Sequence, residues 1–595
     1  MPPYPKLDSV MLPDATYALE NAGEIHYAED IFLNKEGVTS DQRRILIATV
    51  IAHEQAHQWF GDLVMMPWWD DAWLNESFAT WMATQMIQEW KPQWNAGLDL
   101  QRSAVAAMKA DALPGARAIR QTLTSVKQIP AQFDELTYQK GGAVLTMFEH
   151  YLGAVKFRRG ISAYIDGHAR GTGSTDDLLA ALSPEVIAPF HSFLDQAGVP
   201  LVQASLHCPS ITLKQSRFLP LGSTVANDRL WQIPVCLRLG KGGESRVQCA
   251  ILSKAEESIP LPECPDWVMP NADAAGYYRW SMPGAELQKL RAAKLSTPER
   301  ISSAQSLNAA VSSGALPAAE ALGLLEPIVR DPDGEVAAEA MALLRQTRDH
   351  FLPAEDAPRL NAYASQLFAP VLARLGYSAK AGESTSTRRL RAAVLELLAW
   401  AEDPEVVRNL TRLGRAYAES FKPEAVDPDL ARLALSTAVE HGDDAFFDGL
   451  QQRLAAVTDG ELRVRIIAAL ASSPRGLALS LDPRLRQQET SVPLFIQGAD
   501  SRTRDAVWAF TRAHYDELVA RLPELGGVTF LPQAMEGYCD AAKAAEVEAF
   551  FGPRAAKHPG MEQTLRQTVE SIRLCAAQSA AQSPSARSFF ATAKH

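Results

Sequence analysis

The chain has 595 residues, of which 47% are hydrophobic and 22% are charged, and its formal net charge is −12 at pH 7. This length and composition predict a soluble globular protein of several domains with ample material for hydrophobic cores. The negative charge argues against a nucleic-acid surface, and the lack of an apolar stretch of roughly 20 residues excludes a transmembrane segment.

Extended and helical patterns alternate over the first 200 residues. An extended opening at 7–12 precedes segments with helical spacing at 41–61, 71–90 and 138–152. Gly153 is well placed to end the last of these helices. The pattern predicts an α/β domain over residues 1–199.

Residues 200–284 consist of short apolar, β-branched runs separated by turn residues, which predict a small β-sandwich domain. If Gly242 and Gly243 form a two-residue hairpin turn, counting back along both strands places Cys236 opposite Cys249 in a non-hydrogen-bonded pair. A disulfide is feasible there, and two free buried thiols are the alternative. The compartment is not determined by the sequence, although a disulfide would favour an extracytoplasmic one over the cytoplasm.

Residues 285–595 are dominated by Ala, Leu and Arg, and patterns typical of strands vanish. Helical spacing, broken at Pro and Gly, recurs at 389–401, 405–418 and 463–472. Successive helix pairs predict an all-α domain; no strict sequence repeat is visible, so its solenoid-like geometry is implied mainly by a family resemblance. The Ala-rich tail at 576–595 is expected to be partly frayed.

The most informative motif is an H-E-x-x-H pattern, which begins at His53 and is followed by Glu76, nineteen residues past His57. Residues four apart lie on one face of a helix, so the imidazoles of His53 and His57 can converge on a single ion. A catalytic zinc site needs three protein ligands and an open fourth position, and Glu76 is a candidate third ligand. Glu54 points near the metal without having to ligate it. The alternative is a pair of hydrogen-bonded histidines and a solvated glutamate.

Three stretches of the chain closely resemble the aminopeptidase N family of gluzincin zinc metallopeptidases. They are residues 53–64 (HEQAHQWFGDLV), residues 68–76 (WWDDAWLNE) and residues 138–142 (YQKGG). The resemblance implies a zinc-dependent aminopeptidase that removes the amino-terminal residue from peptides. It also implies a thermolysin-like catalytic domain, a small β-sandwich and a carboxy-terminal α-helical superhelix.

By the same resemblance, His53, His57 and Glu76 bind one zinc ion per chain, Glu54 is the general base, and Tyr138 stabilises the oxyanion. Zinc polarises the scissile carbonyl and lowers the pKa of a bound water towards about 7. Glu54 would take that proton and return it to the leaving amine. A phenol donor aimed at the oxyanion supplements the metal. The alternative for Tyr138 is an aromatic ring that packs at the start of a helix.

Glu20 is expected to bind the free α-amine of the substrate, because a carboxylate is the natural partner of an ammonium group. In the family a Gly-Ala-Met-Glu-Asn loop lines the substrate backbone, and residues 17–21 here read Tyr-Ala-Leu-Glu-Asn. Leu19 conserves the volume of Met, but Tyr17 adds a ring where Gly is usual, which puts the substrate range in doubt. A surface glutamate at a strand edge is the alternative for Glu20.

Family members usually carry an amino-terminal β-domain, and this chain opens at the first strand of the catalytic domain. It is therefore expected to be amino-terminally truncated and to bind substrates more weakly than a complete homologue. Two other functions remain open, a catalytically weak or silent scaffold and an endopeptidase. The expected partners are peptide substrates; the oligomeric state and the preferred amino-terminal residue are not indicated.

Overall fold

The computed structural model describes residues 4–13, 15, 17–35, 38–523 and 527–592. These residues fall into two compact units. The first consists of the described parts of Met1–Val10, Leu19–His26 and Thr49–Ala315. The second consists of those of Met11–Ala18, Tyr27–Ala48 and Leu316–His595.

Before residue 200 the chain alternates short strands with longer helices. In chain order they are β1 (Asp8–Leu12), β2 (Ala18–Leu19), β3 (Glu24–Ala28), α1 (Glu29–Phe32), α2 (Asp41–Ala56), β4 (Val64–Met65), α3 (Trp73–Trp90), α4 (Ala96–Asp111), α5 (Gly141–Leu152), α6 (Ala154–His168), β5 (Gly171–Thr172), α7 (Thr175–Leu182) and α8 (Ile187–Leu194). One sheet has the strand order β1-β3-β2, and β4 pairs with β5 in parallel. The mixed α/β character predicted for this region is confirmed.

Helix α2 ends earlier than the predicted boundary at residue 61. The N–H of His57 still donates to the carbonyl of His53 at 3.3 Å, but the N–H of Trp59 donates only three residues back, to Ala56. The backbone thus tightens after the last helical residue. Gly61, at φ +127°, then adopts a conformation that other residues rarely take, and this lets the chain turn towards β4.

The predicted helix at 138–152 consists of two parts. A π-helical turn, Leu136–Lys140, leads directly into α5. Gly153 follows Leu152 at φ +80° and ends the helix, as predicted.

Between Pro200 and Ser281 the chain forms strands that belong to two sheets. They are β6 (Pro200–His207), β7 (Ser210–Arg217), β8 (Ile233–Lys241), β9 (Glu244–Leu252), β10 (Glu256–Pro260), β11 (Trp267–Met269) and β12 (Arg279–Ser281). One sheet has the order β10-β7-β6-β12 and the other β11-β8-β9. The β12–β6 pair is parallel, and the other pairs are antiparallel.

The β8–β9 hairpin has the predicted register. Gly242 and Gly243, both at positive φ, form a two-residue turn, and Cys236 lies opposite Cys249. The two cysteines form a disulfide, with their Cα atoms 4.0 Å apart. The other cysteines form the disulfides Cys208–Cys264 and Cys539–Cys575, and no cysteine is free in this fully described set of six.

The hydrophobic core of the first unit is continuous across residue 200. Phe148 and Phe190, whose rings stack 3.7 Å apart, belong to the same buried cluster as Val202 and Leu213. The helices before residue 200 and the sheets after it therefore share one core. The division into domains at 1–199, 200–284 and 285–595 stays a prediction.

From residue 284 onward the described chain is helical, as predicted. Helices α9 and α10 belong to the first unit and the rest to the second: α9 (Gly284–Arg291), α10 (Thr297–Ser312), α11 (Ala318–Gly323), α12 (Leu325–Val329), α13 (Gly334–Gln346), α14 (Ala357–Leu375), α15 (Thr385–Trp400), α16 (Pro404–Ser420), α17 (Pro428–Glu440), α18 (Asp444–Leu454), α19 (Gly460–Leu470), α20 (Val492–Ala499), α21 (Arg504–Ala513), α22 (Tyr515–Arg521), α23 (Ala541–Ala555) and α24 (Met561–Thr592). Among the described residues, no helix combines the length and apolar character that crossing a membrane requires.

The prediction of a frayed tail was wrong for residues 576–592, which belong to α24. This part of the helix is tied to the start of α11. The Oε1 of Gln582 accepts a hydrogen bond from the N–H of Ala318 at 2.9 Å, and the Oγ of Ser585 accepts one from Ala319 at 3.0 Å. These side chains satisfy N–H groups at a helix start that have no partner within their own helix. Residues 593–595 lie outside the described chain.

Candidate active site

The three predicted metal ligands come together from two helices. His53 lies in the last turn of α2, His57 directly follows that helix, and Glu76 lies in the first turn of α3. The Nε2 atoms of His53 and His57 are 3.1 Å apart. Each also lies near Oε2 of Glu76, at 3.3 Å from His53 and 3.4 Å from His57. The three donor atoms thus form a nearly equilateral triangle.

The opposite side of each imidazole ring is held by a protein oxygen atom. The Nδ1–H of His57 donates to the carbonyl oxygen of Phe60 at 2.9 Å, which leaves Nε2 with a lone pair when the ring is neutral. Nδ1 of His53 lies 3.4 Å from Oγ1 of Thr80, one turn beyond Glu76 on α3. Such contacts orient metal-ligating histidines in proteins.

This donor set fits a tetrahedral zinc ion. Ligand distances of about 2.0–2.2 Å and tetrahedral angles place neighbouring ligand atoms about 3.3–3.6 Å apart, close to the observed triangle. Two imidazole lone pairs and a carboxylate oxygen that converge in a buried position repel one another unless a positive charge lies between them. His57 and Glu76 are both buried.

The start of α3, which carries Glu76, is anchored by a buried carboxylate. Asp71 accepts hydrogen bonds from the Nε of Arg120 at 2.8 Å and from the Oγ1 of Thr175 at 2.6 Å. The same Thr175 hydroxyl accepts from the indole N–H of Trp73 at 2.9 Å. These contacts fix the first turn of α3, and with it the position of the Glu76 side chain.

The charges in the triangle depend on one another. Burial opposes ionisation of Glu76, but hydrogen bonds from His53 and His57 lower the pKa of its carboxyl group to about 2. Burial likewise opposes protonation of His57, but the hydrogen bond to Glu76 and its charge raise the pKa of this imidazole to about 9. The lowered pKa of Glu76 and the raised pKa of His57 both indicate that the Glu76 carboxylate requires an adjacent positive charge.

Glu54 is buried next to this triangle, and its Oε2 has no hydrogen-bond partner among the described residues. Burial raises the pKa of Glu54 to about 8, and the charges of Glu20 and Glu76 add to this effect while His57 opposes it. A buried acceptor without a partner is available to a molecule that enters the site.

The ring of Tyr138 lies beside the triangle, with its centroid 5.8 Å from that of His53. Burial, together with the charge of Glu76 and a hydrogen bond to it, raises the pKa of this phenol above its usual range. Tyr138 therefore keeps its proton at neutral pH and can act as a hydrogen-bond donor.

Glu20 follows β2 and faces the same cluster. One carboxylate oxygen of Glu20 lies within 4.8 Å of ligand atoms of both Glu54 and His57. The adjoining loop is fixed by Gln58, whose Oε1 accepts from the N–H of Gly23 at 2.9 Å and whose Nε2 donates to the carbonyl of Asn21 at 3.3 Å. The structure thus brings every residue of the predicted site together, and the roles assigned to them remain predictions. Tyr17, the residue predicted to add a ring to this loop, has 56% of its surface exposed.

The sequence interpretation missed Asp62, which lies in the motif run and couples electrostatically to Glu20 and His57. Its Oδ2 is buried without a partner among the described residues, and burial followed by the charge of Glu20 raises its pKa to about 7. The available signal in the sequence was an acidic residue close to the histidine motif, five positions after His57. Thr80 gave no comparable signal, because a threonine on a helix face is common.

Two family models match most of the chain. Residues 2–196 match the peptidase family M1 domain, and residues 267–574 match the ERAP1-like C-terminal domain. The first match contains every residue of the cluster described above. The second covers the end of the β-strand region and most of the helical unit.

Curated relatives extend this similarity along nearly the whole chain. Aminopeptidase M1-A of Oryza sativa subsp. japonica is 27% identical over 96% of this chain and 67% of its own length. Aminopeptidase M1 of Arabidopsis thaliana is 28% identical over 96% of this chain and 68% of its own length. Tricorn protease-interacting factor F2 of Thermoplasma acidophilum is 31% identical over 78% of this chain and 57% of its own length. The two matched domains and these relatives point to the same family. The chain belongs to the aminopeptidase N family of metallopeptidases, peptidase family M1.

Proposed function

We propose that this protein is a zinc-dependent aminopeptidase that hydrolyses the first peptide bond of its substrates. The observation that carries the proposal is the convergence of two imidazoles and three carboxylates in one cluster, in which His57, Glu54 and Glu76 are buried and His53 and Glu20 are partly buried. The names of the curated relatives support the same activity.

His53, His57 and Glu76 would hold the zinc ion through the three atoms of the triangle. When bound there, zinc supplies Lewis acidity for peptide hydrolysis. Each imidazole is already oriented by its contact on the far side, with Phe60 or Thr80, so little reordering is needed when the metal binds.

Glu54 is the proposed general base. Its free Oε2 would accept a proton from the attacking water and then deliver it to the nitrogen of the leaving amine. Tyr138, protonated at neutral pH, would donate a hydrogen bond to the substrate carbonyl oxygen as negative charge develops on it. Loss of such a donor costs about 3–4 kcal/mol of transition-state stabilisation.

The carboxylate of Glu20 favours an aminopeptidase over an endopeptidase. Glu20 is neither a proposed zinc ligand nor the proposed base, and its carboxylate lies within 4.8 Å of ligand atoms of Glu54 and His57, where it can meet the ammonium group of a substrate. Glu20 is therefore proposed to bind the free α-amine, with Asp62 adding to the negative potential around it.

We extend the proposal to the domain architecture. A thermolysin-like catalytic domain is assigned to residues 1–199, a β-sandwich to 200–284 and an α-helical superhelix to 285–595. The distribution of strands and helices supports these boundaries.

The test combines zinc content with hydrolysis of aminoacyl anilides and of matched free and N-acetylated peptides. An aminopeptidase should contain one zinc ion per chain, cleave the anilides and reject the acetylated peptide. Cleavage of the acetylated peptide at an internal bond would instead indicate an endopeptidase. A zinc-loaded chain that cleaves neither would indicate a silent scaffold.

A further inference from the structure

Tyr138 lies in the π-helical turn Leu136–Lys140, which is an uncommon backbone conformation often found at functional sites. Two neighbours of Tyr138 in this turn, Thr137 and Lys140, are fully buried, whereas Tyr138 itself is half-buried.

The first anchor joins the turn to the helix that carries Glu76. The Oγ of Ser77, the next residue after Glu76, donates to the carbonyl oxygen of Thr137 at 2.6 Å. A Cβ atom on Gly141 would lie 1.9 Å from that hydroxyl, so the close approach requires glycine. A single buried hydrogen bond therefore links the residue beside Glu76 to the residue beside Tyr138.

The second anchor is a buried ion pair on the other side of Tyr138. The Nζ of Lys140 lies 2.9 Å from Oδ2 of Asp111, and both side chains are fully inaccessible to solvent. Asp111 also accepts from the N–H of Gly198 at 2.7 Å and from the hydroxyl of Tyr277 at 3.2 Å. Replacing a buried ion pair by well-packed apolar residues is often neutral or stabilising, so stability alone does not account for the pair at this position.

We propose that Ser77 and Lys140 are positioning residues for Tyr138: the Ser77–Thr137 hydrogen bond and the Lys140–Asp111 ion pair hold the tyrosine turn at a fixed distance from the proposed metal ligands. This inference rests on the proposed function, in which Tyr138 is the oxyanion donor. Neither side chain contacts the reacting atoms. A donor must lie within about 2.7–3.1 Å of the oxyanion, and a misplacement of about 1 Å can cost about 100-fold in rate.

The test is a double-mutant cycle with Ser77→Ala and Tyr138→Phe. Ser77→Ala alone should lower kcat about tenfold, leave KM within about twofold and leave the zinc content unchanged, because it removes only the placement of the donor. In the Tyr138→Phe background the same substitution should change kcat by less than about twofold. An equal loss in both backgrounds, or a loss of zinc, would overturn the positioning role.

The outcome for Tyr138→Phe separates this inference from the proposed function. If Tyr138→Phe leaves kcat unchanged, the role of Tyr138 in the proposed mechanism is wrong and the positioning role is lost with it. If Tyr138→Phe lowers kcat but Ser77→Ala does not, the mechanism stands and only the positioning role of Ser77 is overturned.

The ion pair is tested by the double variant Lys140→Met/Asp111→Asn, which removes both charges and avoids an unpaired buried one. We expect a loss of kcat of about tenfold that vanishes in the Tyr138→Phe background. The matched control is Arg463→Met/Glu489→Gln, which removes a buried ion pair of the second unit with an Nε–Oε1 distance of 2.7 Å. The control should leave kcat unchanged in both backgrounds. If the two double variants, each shown to be folded by circular dichroism, behave alike, Lys140 has no positioning role.

Discussion

The Nε2 atoms of His53 and His57 point at each other across 3.1 Å. The far nitrogen of His57 donates its proton to the carbonyl of Phe60, so a neutral His57 presents a lone pair to its neighbour. Glu76 completes the triangle with negative charge. A buried arrangement of this kind is stable only with a cation in it, whether a proton or a metal ion.

Removal of the metal should therefore abolish activity and lower thermal stability. We expect treatment with a chelator, followed by its removal, to eliminate anilide hydrolysis and added zinc to restore it. A ligand present at 100 times its Kd stabilises the folded state by about 2.7 kcal/mol, so zinc should raise Tm measurably. Full activity in chelated protein with no detectable metal would contradict the assignment.

The proposed roles of Glu54 and Glu76 predict different effects of equivalent substitutions on the zinc content. Glu54→Gln should keep the zinc but lower kcat by at least about 100-fold, because the proton acceptor is lost. Glu76→Gln should lose zinc as well, because a charged ligand is lost. Elemental analysis and kcat of the two variants distinguish the cases.

The control for these substitutions is Glu89→Gln. Glu89 lies on α3, like Glu76, but is exposed. This variant should retain both zinc and activity. Loss of zinc in Glu54→Gln would instead make Glu54 a ligand.

Glu20 should determine the preference for a free amino terminus. Glu20→Gln preserves the shape of the side chain but removes the charge that faces the ammonium group, and charge-assisted hydrogen bonds are roughly twice as strong as neutral ones. We expect kcat/KM on aminoacyl anilides to fall at least about tenfold, with most of the change in KM. An unchanged kcat/KM on aminoacyl anilides for Glu20→Gln would show that Glu20 does not bind the amine.

The sequence was informative where chemistry and local periodicity coincide. The spacing of His53 and His57 on a helix and the two-glycine turn of the β8–β9 hairpin specify geometry over a few residues, and both predictions agree with the structure. The pairing of Lys140 with Asp111 was not predictable, because the residues are 29 positions apart and meet only through tertiary packing. The packed tail of α24 was missed for the same reason, since Gln582 finds its partner 264 residues away.

Glu149 should make stability depend on pH. Its Oε2 accepts from the indole N–H of Trp81 at 3.0 Å, and burial raises the pKa of its carboxyl group above the ordinary value of 4.5, although Trp81 opposes this. The folded state therefore holds its proton more tightly than the unfolded state, and the contribution to stability is lost as pH rises through the folded pKa.

Substitution of Glu149 by Gln should remove this dependence. The difference in Tm between Glu149→Gln and the unmodified protein should shift in favour of the variant as the pH rises from 4.5 to 8. Thermal denaturation at the two pH values measures the difference. A relative Tm that is the same at both would exclude a raised pKa for Glu149.

The disulfide Cys236–Cys249 should stabilise the protein without contributing to catalysis. It joins strands β8 and β9 across a sequence separation of 13 residues, and closing a loop of about 15 residues contributes about 3 kcal/mol in the chain-entropy account. We expect Cys236→Ser/Cys249→Ser to lower Tm and to leave kcat on anilides unchanged, because neither cysteine belongs to the proposed catalytic cluster. A non-reducing peptide map with thiol counting should find no free thiol in the unmodified protein; two free thiols at these positions would remove the basis for the effect.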